Sequence, residues 1–236
     1  MRTVAHVSDL HFGRIDPASL APLRRRLEEL RPDLLVVSGD LTQRARDRQF
    51  RDARAYLDTL PRPQLVVPGN HDVPLFNVLA RFLAPLGGYR RNLAADEEPD
   101  FVDDEIAVLG VNTSRSLTWK AGKVSEDQLN RVKNSFQNKN GRVRIVVTHH
   151  PCKALKACPV DVLMSGHFHA SCATADGVVE VHAGTATSSR TREEPNSFNV
   201  LRIRPGRIDV EHFKMNGRQF TCAASRTFVR NGAGWS

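Results

Sequence analysis

Residues 3–13 read Thr-Val-Ala-His-Val-Ser-Asp-Leu-His-Phe-Gly. A short, mostly apolar run ends in a polar unit, Asp9-Leu10-His11, and Gly13 closes it. Such a run is a strand whose C-terminal end delivers a carboxylate and an imidazole, the place where open α/β sheets carry their sites. The same grammar recurs along the chain. Leu34–Ser38 is followed by Gly39-Asp40, and Leu65–Pro68 by Gly69-Asn70-His71-Asp72. Val143–Thr148 runs into His149-His150, and Val162–Met164 into Gly166-His167-Phe168-His169. Six of the nine histidines (His11, His71, His149, His150, His167, His169) fall in these units, which scattered histidines would not do. An Asp or His just past a strand is commonly a turn former or helix cap. That account serves for Asp9 or Asp40 singly but fails for Gly-His-Phe-His. His6 and His212 lack such company and read as ordinary strand residues. His182, ahead of Ala183-Gly184-Thr185, is a lesser candidate for lining the site.

Helical periodicity fills the gaps. Leu20, Leu23, Leu27 and Leu30 form one stripe, with Asp16 as N-cap and Pro17 at the first helical position. Phe50, Ala53, Leu57 and Leu60 repeat the spacing between the second and third strands. Ile106–Val111 reads as a fourth strand. Leu129, Val132 and Phe136 share one face of a helix opened by a capping box, Ser125-x-x-Gln128. After Val178 the chain reads as strands: Val178–His182, Asn199–Ile203 and Ile208–Phe213. Alternating β/α units followed by mostly β predict an α/β protein with sheets flanked by helices. No repeat or linker divides residues 1–236, so a single domain is expected.

Composition narrows the class. At 40% hydrophobic and 25% charged, the chain matches soluble globular averages, and its length suffices to bury a core without staples. No apolar run nears the roughly 20 residues that span a bilayer. The opening residues enter a strand at once, without an apolar stretch of signal-peptide length. A cytoplasmic chain with no membrane partner is expected, its four cysteines (Cys152, Cys158, Cys172, Cys222) reduced. The balance of 34 basic against 26 acidic residues, net +8, favours anionic ligands, although most arginines read as solvated surface.

Carboxylate oxygen with imidazole nitrogen suits Mn, Fe or Zn, whereas soft ligation would need thiolates. An aspartate bridging two such cations holds them roughly 3.5–4 Å apart, and the pair lowers the pKa of a bound water to about 7. The units Asp-x-His, Gly-Asp, Gly-Asn-His-Asp, His-His-Pro and Gly-His-x-His, in that order, resemble the calcineurin-like metallophosphoesterase superfamily. Val7–Gly13 and Gly39–Thr42 look most like its bacterial branch of cyclic-nucleotide and glycerophosphodiester phosphodiesterases. The resemblance implies a four-layer αββα sandwich of two mixed sheets, with a dinuclear site at strand C-terminal ends. It also implies roles. Asp9, His11 and His169 would hold the first metal, Asp40 would bridge, and Asn70, His149 and His167 would hold the second. His71 would protonate the leaving group or stabilise the transition state, and Asp72 would orient its imidazole. His150 reads as a supporting residue. Asn112 and Arg115, past a strand end, touch substrate phosphate or cap the loop.

The implied substrate is a small phosphodiester, cyclic nucleotide or glycerophosphodiester. A nuclease is a second reading, with Arg44, Arg48 and Arg51 as a phosphate track on one helix face. Only 6% of residues are aromatic, which weakens base stacking and disfavours nucleic acid. A third reading is hydrolysis of a pyrophosphate in a lipid-sugar nucleotide, though the sequence shows no amphipathic lid helix. A non-catalytic scaffold fits poorly, because all seven ligands and His71 are present. His149 and His167 are only 18 positions apart, where cyclic-nucleotide members carry a lid-forming insertion, and the oligomeric state is left open. Cys152, Cys158 and Cys172 near that segment read as small, partly buried thiols.

Overall fold

The computed structural model describes residues 1–116, 121–138, 141–189, 194–232 and 234–236. The first half contains β1 (Arg2–Val7), α1 (Pro17–Leu30), β2 (Leu34–Ser38), α2 (Asp47–Leu57), β3 (Gln64–Val67), α3 (Val78–Leu83), α4 (Gly87–Asn92), β4 (Asp100–Val102) and β5 (Ile106–Gly110). Then follow α5 (Glu126–Phe136), β6 (Val143–Val147), β7 (Val162–His169), β8 (Cys172–Asp176) and β9 (Val178–Gly184). The chain ends with β10 (Ser197–Arg204), β11 (Arg207–Asn216), β12 (Gln219–Asn231) and β13 (Gly234–Trp235). One sheet has the order β13-β12-β11-β10-β1-β2-β3, the other β4-β5-β6-β7-β9-β8. Both are mixed: β1, β2 and β3 run parallel, as do β5, β6, β7 and β9, while β10 and β8 pair antiparallel to their neighbours.

Three apolar clusters define four layers. Val4, Leu34, Val36 and Val67 of the first sheet pack against Val108, Ile145, Val147 and Met164 of the second. Alternate residues of the same strands, Ala5, Val7, Leu35 and Val37, face Leu23 and Leu27 of α1 and Phe50, Ala53 and Leu57 of α2. Ala107, Leu109, Val146 and Leu163 face Val132 and Phe136 of α5. Burial on both faces explains why the strand sequences are continuous apolar runs rather than alternations. The architecture is the expected αββα sandwich. Its helix starts follow the sequence signals: Asp16 accepts from Ala18 N with Pro17 next, and Ser125 and Gln128 close a reciprocal capping box.

Several elements differ from the sequence expectation. β7 continues to His169 rather than ending at Met164, with its register against β9 shifting between Ser165 and His169. That irregularity breaks the two-residue period by which strands are read. β4, β8, β12 and α4 have no apolar run to announce them, and α3, whose sequence VLARFL is apolar, is short and has no buried face. In the 13-residue β12 only Phe220 and Phe228 are buried. Among the described residues no helix is long and apolar enough to cross a membrane.

Candidate metal centre

The five units meet where the two sheets' C-terminal strand ends adjoin. Backbone hydrogen bonds zip the loops after β1 and β2: Asp9 N donates to Gly39 O at 3.1 Å, and His11 N to Asp40 O at 2.9 Å. The second sheet joins through His149 Nδ1, 2.8 Å from Ser38 O, and through His167 N, which donates to Asp9 Oδ2 at 3.2 Å. Gly39 sits at the crossing with φ +92°, and an added Cβ would lie 2.8 Å from Gly69 N and from His149 Nδ1. No side chain fits there.

Two ligand clusters result. Asp9, His11 and His169 bring one ligand atom each to within 4.8 Å of one another, as do Asp9, Asp40 and His149. His11 Nε2 is 3.4 Å and His169 Nε2 3.5 Å from Asp9 Oδ1. Asp40 Oδ2 lies between the clusters, 3.4 Å from His149 Nε2 and 3.8 Å from His11 Nε2, the position a bridging carboxylate takes. Asn70 Oδ1 is 3.0 Å from His149 Nε2, and the His167 ring lies 5.2 Å from that of His149. The structure therefore gathers all seven expected ligands.

The backbone is bent to do this. Asp9, His11, Asp40, His167 and His169 all have φ between 52° and 72°. This left-handed region costs an L-residue roughly 1–2 kcal/mol. Non-glycine residues hold it where surrounding structure over-determines them, characteristically at functional sites.

The site also fixes its imidazoles from behind. With His149 Nδ1 on Ser38 O and His169 Nδ1 2.7 Å from Thr185 Oγ1, each ring presents Nε2 to the centre, as ligating histidines do. Ser8 Oγ donates to Asp9 Oδ2 at 2.7 Å. Ser8 and Thr185 went unread in sequence, since lone hydroxyls carry no pattern. Burial opposes charge on Asp9 and Asp40, yet the adjoining imidazoles override it and hold both carboxyls below the usual range. Burial likewise opposes a charge on His149, but the Asp40 carboxylate prevails and pushes it up to about 9.

His71 stands apart from the clusters, its ring edge-on to His11 at 5.0 Å. Gln43 is the neighbour that meets its Nδ1. His71 Nδ1 faces the Gln43 carbonyl at 3.0 Å, with the Gln43 amide at 3.3 Å. Asp72 accepts from Gly69 N and Thr42 N, both at 2.9 Å, and from Leu41 N at 3.2 Å. Burial and the nearby Asp40 carboxylate push its carboxyl up to about 6. Gln43, buried and unremarked in the sequence, is the ring's holder.

The remaining candidates divide. His150 is closer to the centre than expected: its ligand atom lies within 4.8 Å of those of His149 and His167, with Nδ1 2.9 Å from Thr113 Oγ1. Burial, then the His149 and His167 rings, pull its pKa down to about 2. Asn112 and Arg115 take the loop-capping role: Asn112 bonds Glu97 and Glu98, and Arg115 bonds the Asn112 and Ser114 carbonyls and Gln128. His182 bonds Ser165 at 2.7 Å, behind the strand end. Arg44 precedes α2, so it shares no helix face with Arg48 and Arg51. The cysteines are free, and no metal-capable group among the described residues includes one.

A cation fits this arrangement. Asp9 Oδ1 and His11 Nε2 are buried without a hydrogen-bond partner among the described residues. A buried carboxylate oxygen facing two imidazole nitrogens is satisfied by a metal better than by any neighbouring group.

Comparison with known proteins agrees. The model of the calcineurin-like phosphoesterase family matches residues 2–171. The chain is 34% identical over 143 residues to glycerophosphodiester phosphodiesterase GpdQ of Enterobacter lignolyticus (strain SCF1), covering 52% of this chain and 51% of that protein. It is 26% identical over 206 residues to UDP-2,3-diacylglucosamine pyrophosphatase LpxG of Chlamydia muridarum (strain MoPn / Nigg), covering 70% and 63%. The matches thus span between half and two-thirds of those relatives' lengths. A dimetal phosphatase from Danio rerio shares the fold, with TM-score 0.69 at 15% identity over 98% of this chain and 99% of that one. From its ordered ligand blocks, its two sheets and this match over most of its length, the chain belongs to the calcineurin-like phosphoesterase family.

Proposed function

We propose that the chain is a metal-dependent phosphodiesterase of small molecules. Asp9, His11 and His169 would hold one transition metal, Asn70, His149 and His167 a second, and Asp40 would serve both. Convergence of these seven side chains on one buried point is the observation that carries the reading. When bound, two such cations supply a nucleophile from water at neutral pH and offset charge on the phosphoryl group.

The chain's own residues do the rest. Ser38, Thr185 and Ser8 hold the ligands' orientations. The Gln43 carbonyl can only accept, so a proton on His71 Nδ1 has an acceptor 3.0 Å away. A second proton, on Nε2, makes an imidazolium able to hand it to the leaving oxygen. The diester substrate is supported by the similarity to the protein named GpdQ. A second reading, cleavage of a pyrophosphate, is supported by the similarity to the protein named LpxG, which extends over more of the chain.

The test is a substrate panel on the Mn-loaded protein: bis(p-nitrophenyl) phosphate, p-nitrophenyl phosphate and a UDP-sugar. The diester should have the highest kcat/KM. Preference for the monoester would replace the reading with phosphomonoesterase, and preference for the UDP-sugar with pyrophosphatase.

A further inference from the structure

The segment after the His71 block exposes what chains usually bury. Phe76, Val78, Leu79, Phe82 and Leu83 are 53–76% exposed, and α3 has no buried residue. Polar links hold this helix in place. Asn77 caps it by accepting from Ala80 N, and Arg81 and Ser116 exchange hydrogen bonds at 2.7 and 2.6 Å. Its large apolar side chains are therefore not needed to anchor it. An apolar surface of this kind marks a binding site.

Position and charge say for what. Gln43, which meets His71, is followed by Arg44, whose guanidinium lies 5.2 Å from the Phe76 ring. Phe76 is five residues beyond His71, at most about 18 Å of chain. Through Gln43 and Arg44 the surface is thus joined to the residue that meets His71. A groove of about 450 Å³ runs beside Phe76, lined by Leu75, Ala80 and Gly88, by Asn77 and Asp47, and by Arg44, Arg46 and Arg91. Arg91 pairs with Asp47, whereas Arg44 and Arg46 pair with no carboxylate among the described residues. Apolar walls edged by arginines match an anionic head joined to an apolar tail. A second copy docked on the same face would set arginine rim against arginine rim.

We propose that this surface binds the alkyl or acyl arm of an amphiphilic phosphoester whose scissile phosphate sits at the metal centre. The proposal rests on the phosphodiesterase reading and names its substrate class.

Alkyl p-nitrophenyl phosphates with methyl, butyl and octyl arms, kept monomeric, share one leaving group and test the apolar arm alone. In the Mn-loaded protein kcat/KM should rise with chain length, by up to about fourfold per buried methylene. The octyl-to-methyl ratio should collapse in a Phe76→Ser/Leu79→Ser variant. A flat series, or a ratio unchanged in the variant, overturns the proposal. Calorimetric binding of octyl methylphosphonate separates this from the parent reading. Binding that the variant loses supports the apolar site even if no diester is turned over, and absence of binding overturns it. Light scattering that finds a dimer dissociated by the variant assigns the surface to a second copy instead. Sedimentation with phosphatidylglycerol vesicles, without a chain-length effect, assigns it to a membrane surface.

Discussion

Asn70 and His71 are neighbours in sequence whose side chains enter different surroundings. Asn70 Oδ1 turns to His149 Nε2, inside the second ligand cluster, while the His71 ring leans on Gln43 and lies edge-on to His11. The two should fail differently. Asn70→Ala should lose about one metal equivalent by elemental analysis and slow every substrate. His71→Ala should keep both equivalents and lose proton donation, typically 10²–10⁴-fold in rate. An alkoxide leaving group needs that proton far more than p-nitrophenolate does, so the defect should be large on a glycerophosphodiester and small on bis(p-nitrophenyl) phosphate. Loss of a metal from His71→Ala, or equal defects on both substrates, would remove the proton-donor role. The proposed ligands were legible in sequence because each closes an apolar run with a distinctive polar unit. The holders were not: Gln43 acts on His71 through its backbone carbonyl, and Ser38 on His149 likewise, and a carbonyl is common to every residue type.

At the scale of elements, Asp72 ties the end of β2 to the end of β3. Its oxygens accept from Leu41 and Thr42 on one loop and from Gly69 on the other, while the Asp40 carboxylate accepts from His71 N at 2.8 Å. Removing Asp72 strands three buried N–H groups at about 1–3 kcal/mol each. Asp72→Ala should therefore lose at least about 3 kcal/mol of stability in urea unfolding and bind metal poorly. Asp72→Asn, which keeps one acceptor oxygen, should fall between. A stability loss near zero would mean that the two loops hold their shape without it. The elements themselves were readable wherever both faces of a strand or one stripe of a helix is buried. β12 escaped for the opposite reason: solvent covers most of it, so little core contact shaped its sequence, while α3 is apolar but only six residues long, too short to show a stripe.

For the whole molecule, the centre is where two sheets are fastened together at an energetic cost. Five residues in left-handed backbone, at roughly 1–2 kcal/mol each, amount to a large share of the ~5–15 kcal/mol by which proteins are stable. Cations held by ligands from both sheets bind the native chain and not the unfolded one, so they return that stability by mass action. At a hundred times Kd each site contributes about 2.7 kcal/mol. For a chain of this length 1 kcal/mol moves Tm by about 2–4 °C, so Mn in excess should raise Tm by roughly 10–20 °C over the chelated protein. Asp40 lies between both clusters, so Asp40→Ala should abolish most of that increment, whereas Asn70→Ala should keep about half. Differential scanning calorimetry with and without chelator measures all three proteins. An increment that survives intact in Asp40→Ala would mean that the cations bind elsewhere, and the strain at the strand ends would then need another purpose.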